Sequence, residues 1–280
     1  MAVPTEPKAA ASTEPKTAAP TGADAAGGRD VVGAVLKACT LLGHFSADRP
    51  AWTLNELTTA SGMNKTTVFR LMATLIQAGW VNRTDEGAYR VAMPVFEIGS
   101  AALSKLDIRS AAKPFMSDLA AAFGNTAYLM VPADQGAVCI DLLEGRNSLV
   151  VAGINVGSVM PYHAAAGPIV MLAHSKALRD KWVTTGLPAI TEQTITDTDR
   201  LAEHLDEITE AGYSLSVADY LPGVAAVAAP ILGRNGSVVA SISVGGRAEE
   251  FEGAALAAMI EKVCDAGVRI TRIVQALPRA

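Results

Sequence analysis

Apolar residues in "RDVVGAVLKACTLLGHF" recur at helical intervals. Val32, Val35, Leu36, Cys39, Leu42 and Phe45 share one face, the spacing of a buried stripe. After a break at "SADRPAW", "TLNELTTASG" opens with Thr53 three residues before Glu56. That is capping-box spacing, in which each side chain satisfies a free backbone N–H at a helix start. The helix is expected to stop near Gly62, a residue suited to a left-handed C-cap. A third helix begins about Asn64, and Val68, Leu71, Met72 and Leu75 follow the i, i+3, i+4, i+7 rule. Thr66, Arg70, Ala73 and Gln77 therefore point outward, with Lys65 and Thr67 at the exposed first turn. In "VNRTDEGAYRVA" two short strands surround Asp85-Glu86-Gly87, a hairpin signal. Helix, helix, turn, helix and hairpin over residues 29–95 predict a winged helix-turn-helix, mainly α with a β-hairpin wing.

"PVFEIGSAALSKLDIRSAAKP" predicts a linker helix over 96–113 that ends before Pro114, because proline disfavours helical geometry in the residue preceding it. Residues 114–280 change character. "SDLAAAFG" predicts a short helix, "TAYLMVPADQGAVCIDLLEG" a hairpin and "SLVVAGINVG" a further strand. "AGPIVMLAHSKALRDKWV" and "TDRLAEHLDEITEAG" are helical in pattern. "GVAAVAAPILGRNGSVVASISVGG" predicts two strands turning at Asn235-Gly236, followed by an amphipathic helix over about 251–275. Strands joined by tight turns make an antiparallel sheet with helices around it, so the second unit is α+β and the chain is multidomain.

Residues 1–28, with "TEPK" repeated, are Ala, Pro, Thr and Gly with almost nothing to bury, and are expected to form a disordered leader. No stretch has the length and apolarity of a membrane span, and no secretory h-region is evident, so a cytoplasmic protein with no membrane partner is expected. The net charge of −5 excludes coating nucleic acid by bulk charge but not by one basic face. Residues 29–95 hold seven basic side chains (Arg29, Lys37, Arg49, Lys65, Arg70, Arg83, Arg90) against five acidic ones. Positive charge is concentrated where a duplex would lie. Cys39, Cys139 and Cys264 are far apart and form no CxxC pair, and the four histidines show no ligand spacing. No metal or other cofactor is expected.

A helix in the major groove packs one face on its own domain and presents the other, with its first turn, to phosphates and base edges. Hydroxyls on Thr66 and Thr67 can bond either, Arg70 can grip guanine through two donors, and Lys65 sits at the positive end of the helix dipole. With Thr53 and Asn64 at the helix starts and Arg83 and Arg90 on the wing, these are the candidate DNA contacts. The alternative for the row on the third helix is an ordinary solvated face; the flanking helix and wing favour the duplex.

These segments resemble the IclR-type bacterial transcriptional regulators from about residue 29 to the C-terminus. "LNELTTASGMNKTTVFRLMATLIQAGWV" resembles the DNA-binding core of that family, and "YRVAMPVFEIGSAAL" its wing and linker entry. "MPYHAAAG", "TITDTDRLAEHLDEITEAGYSLS" and "GVAAVAAPILGRNGSVVASISVGG" resemble its effector-domain signatures. The resemblance implies a GAF-like C-terminal domain, a homodimer or homotetramer, and a repressor or activator that binds double-stranded operator DNA under control of a small metabolite. By position the pocket lining would include Met160, Ala166, Gly167, Ser216, Ala226, Ser243 and Gly245. The chain departs from the usual pattern: Pro168 and Ile169 stand where a glycine and a lysine are common. Ser216 stands for an aspartate, Ala226 for a cysteine and Gly245 for a second serine. A roomier, less polar pocket than one shaped for glyoxylate or pyruvate is expected, with an aromatic or other catabolic organic acid as effector. The competing possibility is an enzyme on a GAF-like domain with an accessory helical domain. His163 is its candidate base, with Asp141 or Asp219 as orienter, but neither a GxSxG elbow nor an activated cysteine accompanies it, so no enzymatic activity is expected.

Overall fold

The computed structural model describes residues 31–46, 49–104, 108–146, 154–182 and 186–276. The leader lies outside the described residues, as does most of the strand expected at "SLVVAGINVG"; residues 154–157, its end, form no strand.

The N-terminal unit comprises α1 (Gly33–Leu42), β1 (Ala51–Trp52), α2 (Leu54–Ser61), α3 (Lys65–Gln77), β2 (Val81–Arg83) and β3 (Tyr89–Val91). This is the winged helix-turn-helix, and its wing is a three-stranded sheet in the order β1-β3-β2. Strand β1 was not expected: "AW" is too short to show alternation and exists because β3 supplies its hydrogen bonds, Ala51 pairing with Arg90 and Trp52 with Tyr89. Leu41, Leu57, Val68, Met72, Val81 and Tyr89 form the core with Trp52 and Leu75. On α1 the expected stripe is corrected. Leu41 is fully buried, whereas Val32, Val35 and Leu36 are more than half exposed and Cys39 is exposed. The helix meets its own domain chiefly at its C-terminal turn, through Leu41 with Leu42 and Phe45, and periodicity alone cannot say what covers the rest.

Helix α2 begins with the expected capping box. The Thr53 Oγ1 accepts from the Glu56 amide at 3.3 Å while the Glu56 Oε2 accepts from the Thr53 amide at 2.8 Å. Bonds from the Thr53 hydroxyl and amide, with Arg49 close by, hold the Glu56 carboxyl below its ordinary range. Gly62 ends the helix at φ 66°, a left-handed conformation that a Cβ would strain. Thr53→Ala should lower the melting stability of this unit by about 1 kcal/mol, with Thr53→Ser restoring it. Equal melting of all three proteins would show that the cap contributes nothing.

Helix α4 (Met93–Ser104) follows the wing, and α5 (Ile108–Phe123) runs through Pro114. The expected helix end before Pro114 is therefore corrected, and the expected boundary at 113/114 falls inside α5. Proline lacks the N–H that would bond the Ser110 carbonyl, a cost of about 3 kcal/mol in a helix interior. Burial of Ala112, Phe115, Met116 and Leu119 along the same helix offsets it.

The remaining elements are β4 (Thr126–Ala133), β5 (Gly136–Leu143), β6 (Val159–Met160), α6 (Ala166–Ala173), α7 (Lys176–Trp182), α8 (Thr198–Ala211), β7 (Ser214–Val217), β8 (Val224–Leu232), β9 (Val238–Arg247) and α9 (Gly253–Ala276). They build an antiparallel sheet ordered β6-β5-β4-β9-β8-β7, of which β6 and β7 were not expected. Alternation along each strand sorts side chains between two faces. Ala127 and Leu129 of β4, with Ala240, Ile242 and Val244 of β9, pack in one core with α5 and α9. Tyr128 and Met130 of β4 belong to a second core with α6 and α8. Ser241, Ser243 and Gly245 fall on that second face by the same period of two.

Candidate functional site

Two places gather the candidate residues. The first is the outer surface of α3. The Asn64 Oδ1 caps the helix by accepting from the Thr67 amide at 2.8 Å. Val68, Met72 and Leu75 are buried and Leu71 half-buried, so the opposite face carries Thr66, Arg70, Ala73 and Gln77, all exposed. Lys65 is exposed in the first turn and Thr67 half-buried beside Leu71. Among the described residues neither Lys65 nor Arg70 has a side-chain hydrogen bond or ion pair. Both are held out on a rigid element with their donors free. Thr53, by contrast, has its hydroxyl engaged in the α2 cap.

The wing divides its two arginines. Register pairs Arg83 with Tyr89 and Asn82 with Arg90, so Arg83 lies on the face of buried Tyr89 and Arg90 on the opposite face with Asn82. The Arg83 guanidinium donates to the Tyr89 hydroxyl at 3.1 Å and lies 5.2 Å from its ring centre. Arg90 is exposed. Sequence reasoning passed over Phe69, about half exposed on the flank of the outward α3 face, and Asn82 beside Arg90. The signals were present: an aromatic one residue before Arg70, and an asparagine alternating with Val81.

The second place is a hollow between the sheet and the start of α6. It has about 430 Å³ of atom-free space, mouth included, and a cavity of about 40 Å³ open to the centre of a water-sized sphere. Every expected lining residue, Met160, Ala166, Gly167, Ser216, Ala226, Ser243 and Gly245, lies on its wall. So do Tyr128, Met130, Asp219, Tyr220 and Leu221, which sequence reasoning did not place there. Gly167 is needed for close approach: a Cβ there would stand 3.1 Å from the Met130 Sδ and 3.2 Å from the Ser241 Oγ. The Ser214 Oγ donates to the Ala166 carbonyl at 2.7 Å and anchors α6 to β7. This small cavity does not match the roomy pocket expected, with Met130, Met160 and Tyr128 bulky on its wall. Among the described residues the lining contains no lysine, arginine or histidine.

His163 is buried, and its Nε2 donates to the Pro188 carbonyl at 2.9 Å while Nδ1 finds no partner among the described residues. Asp141 lies 3.5 Å from Arg109, and Asp219 bonds elsewhere, so neither orients the imidazole. The Tyr162 hydroxyl exchanges hydrogen bonds with the Ala133 backbone, a packing role. Burial pushes the Cys139 thiol up to about 12, which keeps it protonated and unreactive. Among the described residues no cluster of His, Cys, Asp and Glu could hold a metal ion, and no helix is long and apolar enough to cross a membrane.

Residues 34–85 match the family description "IclR helix-turn-helix domain", and residues 100–272 match "Bacterial transcriptional regulator IclR C-terminal". The chain is 30% identical to the HTH-type transcriptional regulator KipR of Bacillus subtilis over 239 residues, covering 85% of this chain and 95% of that protein. It is 26% identical to the p-hydroxybenzoate hydroxylase transcriptional activator of Acinetobacter baylyi, covering 76% and 81%. Among solved structures, a Silicibacter protein described as an IclR-type regulator aligns at TM-score 0.77 and 27% identity, covering 88% of this chain and 98% of that one. An IclR homolog of Microbacterium hydrocarbonoxydans complexed with 4-hydroxybenzoate aligns at TM-score 0.73 and 22% identity, covering 87% and 100%.

Proposed function

The chain belongs to the IclR family of bacterial transcriptional regulators, and from that premise we propose how its own residues regulate transcription: α3 enters the major groove of an operator, and a metabolite in the α6 hollow biases that engagement. The outer face of α3 carries this proposal, because Lys65 and Arg70 are exposed, unpaired among the described residues and backed by a packed core. Arg70 reads base edges; Thr66 and Thr67 bond phosphates or bases; Lys65 and Arg90 meet the phosphate backbone. Arg83, held on Tyr89, reaches the backbone from the other side of the wing, and Thr53 and Asn64 present helix starts to phosphates.

The protein acts as a homodimer or homotetramer in the cytoplasm. Support comes from apolar surface that one chain leaves uncovered. Val31, Val32, Val35 and Leu36 are exposed on or beside α1, and Met93, Phe96 and Ile98 on α4. Exposed apolar residues clustered on a helix mark an interface, and a two-fold copy would set two α3 helices in successive major grooves. We divide the chain into a DNA-binding unit at 29–95, a linker at 96–113 and an effector unit at 114–280. An organic acid is the effector class, with 4-hydroxybenzoate, the ligand of the Microbacterium homolog, as first probe. A catalytic role for the hollow would need an activated nucleophile or base, and neither His163 nor Cys139 is among its described lining residues.

Gel shifts with the DNA flanking the chain's own gene test the duplex role. Specific binding should weaken steeply with salt, and Lys65→Ala should weaken it on all sequences alike. The variant should also flatten the log–log salt slope by about 0.9 for each phosphate that is no longer neutralised. Binding that ignores salt, or a slope unchanged in Lys65→Ala, would remove Lys65 from the interface.

A further inference from the structure

The hollow already contains a carboxylate, and that carboxylate is the chain's own. The Asp219 Oδ2 accepts from the Ala165 amide, at the N-cap of α6, at 3.1 Å. Its Oδ1 accepts from the Ser216 hydroxyl. An incoming organic acid would seek those same donors, since among the described residues the wall carries no basic side chain, and the backbone amides at the start of α6 favour an anion. Next to them the buried Ser243 lines the hollow.

The backbone on both sides is held in an unfavourable shape. Ala165 sits at φ 64° and Ala218 at φ 55°, in the left-handed region that a Cβ disfavours. The 218–223 loop that carries Asp219 is closed at its base by the Ala218 amide on the Val224 carbonyl at 2.8 Å. Thr191 and Thr194 donate to the Ala218 and Asp219 carbonyls at 2.7 and 2.6 Å. Tyr220 and Leu221 of the same loop line the mouth. The Asp219 carboxylate is thus the tie between this loop and α6.

The geometry points to Asp219 as an internal competitor. It occupies the effector's anion position before a ligand arrives, and a carboxylate effector takes over the Ala165 amide and the Ser216 and Ser243 hydroxyls, expels Asp219, and uncouples the 218–223 loop from α6. Effector binding and loop release then become one event, supplying the differential affinity by which a ligand shifts a conformational equilibrium. The competition also sets specificity: a carboxylate can displace a tethered one, whereas an amide has no charge with which to do so. The assignment rests on the hollow being the effector pocket.

Titration calorimetry on the full chain tests it, with pyruvate, benzoate and 4-hydroxybenzoate as probes and the primary amide of each as control. Asp219→Asn and Asp219→Ala should bind at least one of the acids about tenfold tighter or more than the native protein, because a hydrogen bond to a charged group no longer has to be displaced. Amide binding should change far less. Amide hydrogen exchange across 218–223 should accelerate when the native protein binds an acid. Carboxylate affinity unchanged or weakened in both variants would overturn the competition and make Asp219 a bystander or an acceptor for the ligand. Slower exchange across the loop would overturn the release. If none of the three proteins bound any of these acids, the hollow would not be a carboxylate effector pocket, and the inference would fall with that reading.

Discussion

Arg70→Ala abolishes sequence-specific operator binding at physiological salt while leaving the melting curve and effector affinity unchanged. Arg70 is exposed and its side chain is tied to nothing among the described residues, so its removal creates no cavity and no unsatisfied partner. What is lost is the pair of donors that can grip one guanine, about 1–3 kcal/mol of discrimination. A two-fold dimer loses it at both half-sites, about 2–6 kcal/mol, and even the lower figure is roughly thirtyfold in affinity. Residual non-specific binding should survive, because Lys65 and Arg90 still meet phosphates. Arg70→Lys should recover the charge without the planar fork and stay deficient in discrimination. A gel shift in which Arg70→Ala retains full preference for the operator would put base recognition elsewhere on α3, with Phe69 and Thr66 as the next residues to replace.

Met72→Ala unfolds the N-terminal unit without disturbing the α+β unit. Met72 is completely buried between Leu57, Val68 and Leu75 in a small core separate from the two cores that flank the large sheet. Truncating such a side chain costs about 2–5 kcal/mol through lost transfer energy and the cavity left behind. A unit of about sixty residues has only roughly 3–9 kcal/mol in total at the usual stability per residue. Calorimetry should show the lower-temperature transition shifted or lost and the other retained, with DNA binding gone and effector binding intact. A single transition moving as a whole would mean that the two units unfold together.

Much of this protein was legible in the sequence because the signals are local. The Thr53–Glu56 box, the Gly62 stop and the inward row of Val68, Met72 and Leu75 each involve residues within about two helical turns, where backbone geometry dictates who meets whom. The pocket residues came from resemblance, and all seven lie on the wall of the hollow. The size of the hollow did not come with them. It depends on Tyr128 and Met130 arriving from β4, more than thirty residues away from α6 in the chain.

The sequence by itself determined the three helices of the N-terminal unit, the Thr53–Glu56 and Gly62 caps of α2, the main hairpins, and the apolar side of α3, since these follow from hydrogen bonds and side-chain spacing within a few residues. Tertiary structure alone decided which apolar surfaces are covered. It left Val32, Val35 and Leu36 in the open, carried α5 through Pro114, formed β1 from two residues against β3, and turned Arg83 and Arg90 to opposite faces of the wing. It alone brought the Asp219 carboxylate to the Ala165 amide across 54 positions. Burial and long-range pairing depend on what another part of the chain presents, and no local pattern carries that information.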